Sequence, residues 1–268
     1  INEELEREKN ELEDSNEINE HNEIEYTDEI ILSDEELREH DNKGEALKVL
    51  CLDCNTSNLY DKNELSEILI PTINKFLLTN SISFQEISIL AIGCGPGSFT
   101  SIRALIAAGK GIILSNRHIK SIGINSLAAL AMSAIDEAKK RKVEYIISSI
   151  DSKRDEPFIQ TFQITHIKNN VSFKPVNKIQ SSKLRDLKKY FLDHNLGNND
   201  IIFVGYNNDL ILKNKLNLHT LNTKNQFSDA FLVAKLCYSL LSNKTNLRYS
   251  EIGFNDYKPL YVRFADIN

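Results

Sequence analysis

The sequence predicts an α/β protein with a largely parallel sheet, followed by a second, less regular lobe and preceded by an acidic segment. Three observations carry this. Between residues 47 and 151, short apolar runs alternate with longer stretches of helical apolar spacing, the pattern of strand–helix–strand units. Beyond residue 151 the alternation weakens. The charge also divides sharply: residues 1–46 hold nineteen Asp and Glu against four Lys and Arg, a net of −15, while the rest of the chain carries +9.

Residues 1–46 are repetitive in Glu, Asn and Asp and contain no Phe or Trp. Such a segment buries too little apolar surface to offset its ordering entropy, so it is expected to be a disordered tail. Order begins with a buried strand at 47–53 (LKVLCLD), followed by a helix at 63–80 and a second strand at 87–93 (ISILAIG). A turn at 94–99 leads to a helix at 100–116, a strand at 119–124, a helix opened by Ser126 and a strand at 143–151. Past that point the pattern predicts a hairpin through 158–167, a helix near 182–194, a strand at 201–205 and a helix at 229–242. The chain is therefore divided into an acidic tail (1–46), an N-terminal α/β lobe (47–150) and a C-terminal lobe (151–268).

Composition excludes several classes. At 41% hydrophobic and 26% charged residues the chain is globular, and no apolar run is long enough to span a bilayer. Cys51, Cys54, Cys94 and Cys237 are too few and too scattered for a disulfide scaffold, which fits a reducing, cytoplasmic compartment. The six histidines, His21, His40, His118, His166, His194 and His219, include no i, i+4 pair, so no helical His-x-x-x-His metal site exists. The positive body is compatible with nucleic acid nearby, although a solvated surface explains modest charge equally well.

The local motifs are weighed against simpler roles. Cys51 and Cys54 form a C-x-x-C, but it lies at a strand and not at a helix start, so these cysteines read as packing residues. Residues 93–100 (GCGPGSFT) join a strand to a helix. They admit either a phosphate cradle or a tight turn with Ser98 or Thr100 capping the helix. The Walker lysine and the third Rossmann glycine are both missing. On the following helix, Ile102, Leu105, Ile106, Gly109, Ile112 and Ile113 form one apolar face, and Thr100, Ala104, Ala107 and Gly111 form an opposite face of small residues. The helix before it has a stripe of Leu65, Ile68, Leu69, Ile73, Phe76 and Leu77, with Ile70 and Leu78 extending it and Pro71 inside it. Asp53 and Asp151 end strands where a kinase-like fold would hold Mg²⁺, and where ordinary turn residues also stand.

Taken in order, these motifs resemble the TsaB (YeaZ) family, a branch of the two-lobed actin/Hsp70/sugar-kinase-like (ribonuclease H-like) superfold. Leu52-Asp53-Cys54-Asn55-Thr56-Ser57 resembles that family's opening strand, and Ser66-Glu67-Ile68-Leu69-Ile70-Pro71 its first helix. Gly95-Pro96-Gly97-Ser98-Phe99-Thr100-Ser101-Ile102-Arg103 resembles Gly-Pro-Gly-Ser-Phe-Thr-Gly-Leu-Arg, and this is the most specific match. Ala108-Gly109-Lys110-Gly111, Ile122-Gly123-Ile124-Asn125-Ser126-Leu127, Asp151-Ser152-Lys153-Arg154-Asp155-Glu156 and Pro259-Leu260-Tyr261-Val262-Arg263 complete the series. Ser101 stands where the family has Gly, and Leu65 where it has His. Only a short connection separates Ser57 from Asn63, so the first lobe lacks the family's β-hairpin in this reading.

The resemblance implies a scaffold without a catalytic residue, metal or cofactor. Such a subunit pairs with a TsaD homologue, with a TsaE-type ATPase joining them, and acts in placing threonylcarbamoyl on the adenosine beside the tRNA anticodon. It implies a partner-binding face of Leu65, Ile68, Leu69 and Thr72 with Thr100, Arg103, Ala104, Ala107 and Gly111. Gly95, Pro96, Gly97, Ser98 and Phe99 form the motif turn. No membrane is involved, and a homodimer is the alternative state of the isolated subunit. Two other function classes stand beside it: an ATP-dependent phosphotransferase of the same superfold, and a metalloprotease, which the histidine inventory disfavours.

Overall fold

The computed structural model describes residues 48–53, 65–154, 156–167, 170–183, 186–194, 196, 201–206, 219–220, 228–241, 253–254 and 258–262. The tail at 1–46, Cys54 and the short connection from Ser57 to Asn63 lie outside these residues.

The first sheet joins β1 (Val49–Leu52), β2 (Ile89–Gly93) and β3 (Lys120–Ile124) in parallel, in that order, with β10 (Gly253–Phe254) antiparallel on β3. The second sheet runs β6 (Asn170–Pro175), β5 (Phe158–Ile167), β4 (Tyr145–Ile150), β8 (Ile201–Gly205) and β9 (His219–Thr220), with β7 (Gln180–Ser181) also on β5. Here β4, β8 and β9 are parallel, and β5 is antiparallel to both β4 and β6. The helices are α1 (Leu65–Thr79), α2 (Phe99–Ser115), α3 (Ser126–Ala131), α4 (Ile135–Arg141), α5 (Leu187–Asp193) and α6 (Ala230–Leu241).

Each sheet is covered on both faces, which is why strands such as β2 (ILAIG) and β8 (IIFVG) are apolar throughout instead of alternating. Leu50, Leu52, Leu90 and Ile92 pack outward against Ile73 and Leu77 of α1 and Ile102, Leu105 and Ile106 of α2. The opposite face, with Cys51, Ile89, Ala91, Ile122 and Ile124, joins a core that continues through α3 and α6 to Ile146, Ile150, Phe162, Ile202 and Val204 of the second sheet. Ile147, Ile159 and Phe203, on the far face of that sheet, pack against Tyr190 and Phe191 of α5. The layers therefore read helix, sheet, helix, sheet, helix. Helix α6 packs against β1, β2 and β3, and α3 against β4, β5 and β8, so each sheet receives a helix from the other half of the chain.

Two local expectations are corrected. Residues 158–167 form one strand, and the hairpin is made by β5 with β6, since a ten-residue strand leaves no room for its own turn. Helix α3 opens at Ser126 as expected, and Asn125 before it is the cap, its Oδ1 accepting from the backbone N–H of Leu127 at 2.9 Å. The Ser98 hydroxyl makes no cap bond to α2 but accepts from Ser101 Oγ at 3.0 Å. Helix α1 runs through Pro71 as the pattern requires. Among the described residues no helix is long and apolar enough to cross a membrane.

Gly205 has φ +100°, and a Cβ built there would lie 2.1 Å from the Ser149 carbonyl oxygen. Gly205→Ala is expected to lower stability by more than about 2 kcal/mol, read as a shift in the denaturant midpoint. Gly111, with nothing within 4 Å of its Cβ position, is the control. Gly111→Ala should stabilise α2 by about 0.5–1 kcal/mol, because alanine is the better helix former.

A second prediction concerns the thiols facing the middle layer. Burial pushes the Cys237 thiol up to about 12, and burial followed by the neighbouring Cys237 raises Cys51. Alkylation of the native protein at mildly alkaline pH should leave both unmodified in mass spectrometry, because the thiolate is the reactive form. Rapid labelling of either would show that α6 is not seated on β1.

Candidate partner-binding surface

Helix α2 is placed by the turn at its entry and by Gly109 on its buried face. Its entry is the turn at residues 95–98, where Gly95 has φ +94° and a Cβ would strike Ile102 Cδ1 at 2.7 Å. The Gly95 carbonyl accepts from the Ser126 amide at 2.8 Å, and the Cys94 amide donates to the Ile124 carbonyl at 2.8 Å. On the other side the Cys94 carbonyl accepts from the Leu260 amide at 2.9 Å. The turn is thus gripped between the β3–α3 junction and the C-terminal segment. A Cβ on Gly109 would approach Ile92 Cδ1 to 2.5 Å, so the missing side chain is what lets α2 lie close on β2.

With Ile102, Leu105, Ile106, Gly109 and Ile112 buried, the opposite face of α2 is turned outward. Thr100, Arg103, Ala107 and Gly111 are exposed and Ala104 is half-buried. On α1, Ile68, Leu69 and Thr72 are half-buried, and Leu69 packs against the core beneath the two helices. Leu65 begins α1, and its side chain lies outside the described residues. In the turn, Pro96 is buried, Gly97 and Ser98 are half-buried and Phe99 is exposed.

The structure adds residues that sequence reasoning did not place on this surface. Leu114 is 73% exposed. Leu114 follows Ala107 and Gly111 at helical spacing, a signal that was available in the pattern. Tyr261 carried no such signal. It comes from the C-terminal segment, and its hydroxyl accepts from Arg103 Nε at 3.2 Å across 158 residues of sequence.

The strand-end carboxylates are engaged internally. Asp53 Oδ2 accepts from Ser228 Oγ at 2.6 Å, just ahead of α6. Asp229 beside it caps α6 through the Leu232 amide at 2.8 Å, and burial pushes its carboxyl up. Asp151 takes the Lys153 amide at 2.7 Å and pairs with the Lys153 ammonium. Of the histidines, His118 bonds to the Phe84 carbonyl, His166 to the Val143 carbonyl, and His194 to Asn177 and Gln180. Among the described residues no three His, Cys, Asp or Glu side chains are grouped as a metal site would need.

Comparison with known proteins agrees with this architecture. The tRNA threonylcarbamoyladenosine biosynthesis protein TsaB of Escherichia coli (strain K12) is 28% identical over 126 residues, 46% of this chain and 53% of that protein. Its namesake in Buchnera aphidicola subsp. Schizaphis graminum is 29% identical over 140 residues, 49% of this chain and 62% of that protein. The chain thus spans about half the length of the curated relatives it matches. YeaZ from Pseudomonas aeruginosa superposes with a TM-score of 0.52 at 16% identity, covering 73% of this chain and 83% of that one, which shows a shared fold. A family model described as "TsaD: tRNA N6-adenosine threonylcarbamoyltransferase" matches residues 61–247, more than half of the chain. The chain therefore belongs to the family of that model, on its TsaB (YeaZ) branch.

Proposed function

We propose that this protein is a non-catalytic scaffold in threonylcarbamoyladenosine formation on tRNA, acting by pairing with a TsaD-type catalytic subunit through the outward faces of α1 and α2. The observation that carries this reading is the small-residue face. Gly111 has nothing within 4 Å of its Cβ position, and Ala107 is exposed, so packing inside the monomer explains neither. Small residues suit a surface against which another helix lies, because interaxial distances of about 8–10 Å are set by the side chains at the contact. The exposed Leu114 supplies apolar area beside it. The internal hydrogen bond of Asp53 and the ion pair of Asp151 favour a structural use of the two strand-end carboxylates over a phosphotransferase role. A TsaE-type ATPase and the tRNA itself belong to the proposed complex. The lost hairpin belongs to the reading as well, with β1 as the sheet edge: among the described residues it pairs with β2 alone.

Two variants one position apart test the surface. Ala107→Arg places a bulky charge on the outward face, where docking would bury it without a partner at a cost of about 3–5 kcal/mol. It should melt like the unmodified protein and fail to capture the purified TsaD homologue. Ile106→Arg places the same charge in the core and should unfold the monomer, seen by circular dichroism. An Ala107→Arg protein that folds and still binds normally shows that the partner docks elsewhere, and one that melts like Ile106→Arg shows the face to be internal.

The non-catalytic half of the reading has its own test. The isolated protein should show no threonylcarbamoyl transfer, proteolysis or sizeable ATP hydrolysis. Robust ATP turnover lost in Asp53→Ala would establish the phosphotransferase alternative instead.

A further inference from the structure

Three exposed side chains at the entry of α2 form one unit. The Arg103 guanidinium carbon lies 4.2 Å from the centroid of the Phe99 ring. The Phe99 and Tyr261 rings are 5.4 Å apart and tilted by 34°. Arg103 Nε donates to the Tyr261 hydroxyl at 3.2 Å. The segment bearing Tyr261 is itself held, since the Leu260 amide bonds to the Cys94 carbonyl and the Leu260 side chain packs on the core under α1 and α2. Among the described residues no carboxylate pairs with Arg103, although both aromatic contacts immobilise it.

We propose that Tyr261 is a positioning residue of the docking surface, holding Arg103 as a ready-made fork for a carboxylate on the partner subunit. The proposal rests on the partner-surface reading above. With one guanidinium face on Phe99 and Nε occupied by Tyr261, the edge bearing Nη1 and Nη2 is left as the donor pair. Two parallel N–H groups match the two oxygens of an Asp or Glu side chain. A free arginine on a surface loses much rotamer freedom when a partner fixes it, and here that loss is taken before binding. Arg and Tyr are also the residue types enriched among the few side chains that dominate interface energetics. The C-terminal segment thereby becomes part of a surface otherwise built from the N-terminal helices.

Calorimetric titration with the purified TsaD homologue of the same organism tests this. Tyr261→Phe keeps the ring and removes the hydroxyl, so melting should be unchanged while affinity falls about five- to tenfold. Arg103→Ala should weaken binding about a hundredfold, in the range of interface residues that matter most. The double variant should bind no more weakly than Arg103→Ala alone, because the hydroxyl acts only through the arginine. Tyr261→Phe should also leave Arg103 less well held, so the salt dependence of its binding should lie between those of the unmodified protein and Arg103→Ala. Tyr261→Phe binding like the unmodified protein, or adding its full loss to that of Arg103→Ala, overturns the positioning role. Ala107→Arg, titrated alongside, separates the two readings. If it abolishes binding while Tyr261→Phe is silent, only the positioning role falls. If it binds normally, the docking surface falls and the proposal with it.

Discussion

The structure depends on one constraint: α3 and α6 lie between two sheets, so α3 is buried on every side and α6 on all but the stripe of Phe231, Lys235 and Tyr238. Leu127, Ala128, Ala129, Leu130 and Ala131 of α3 are wholly buried, and Leu232, Val233, Leu236, Cys237 and Leu240 of α6 share their core. Burying each leucine contributes about 1.5–3 kcal/mol, and the alanines let the sheets approach the helix. A helix in such a place has no water to satisfy its ends. Asn125 caps α3 at its start and donates to Gln160 on β5 at 2.7 Å, while Ser148 on β4 donates to the Leu127 carbonyl at 2.8 Å. Asn125 and Ser148 thus join the sheets through the helix, whereas the buried hydroxyls of Ser126 and Ser149 make no such link among the described residues.

From this layer the character of the outer surface follows. With one face of the first sheet occupied by α6, the other must be covered by α1 and α2, and Gly109 lets α2 settle against Ile92. The buried stripe of α2 then fixes which residues point outward. The turn at 95–98 cannot shift independently, because Ser126 holds it from the middle layer and Leu260 from the C-terminal segment. A surface held this way suits the proposed scaffold role, in which the geometry is set before contact with a partner.

The ends of the parallel strands show how the same architecture accommodates a structural role. Positions where phosphate or metal chemistry would be expected from strand-end acids are occupied by side chains of this chain. Ser228 bonds to Asp53 and so ties β1 to the start of α6, and Lys153 satisfies Asp151 within its own turn. The first contact links elements remote in sequence, and the second closes a local turn. Family membership is what motivates the proposed role in tRNA modification, and the internal use of these acids is the reason to propose a partner's part in it.

Much of the fold was legible in the sequence because it is local. Runs such as Ile89–Gly93 are apolar at every position, which only a strand covered on both faces tolerates, and the 3.6-residue stripe of α2 separated its buried face from its small one. The outward direction of Ala107 and Gly111 followed from the same periodicity. Tertiary structure alone decided what links distant segments. Periodicity could not say that α6 would cover the first sheet, that the Asn125 side chain would join α3 to Gln160 on β5, or that Tyr261 would meet Arg103. Those outcomes depend on which surfaces meet when the sheets close on their shared helices, and periodicity reports the face a residue occupies without naming the neighbour it finds there.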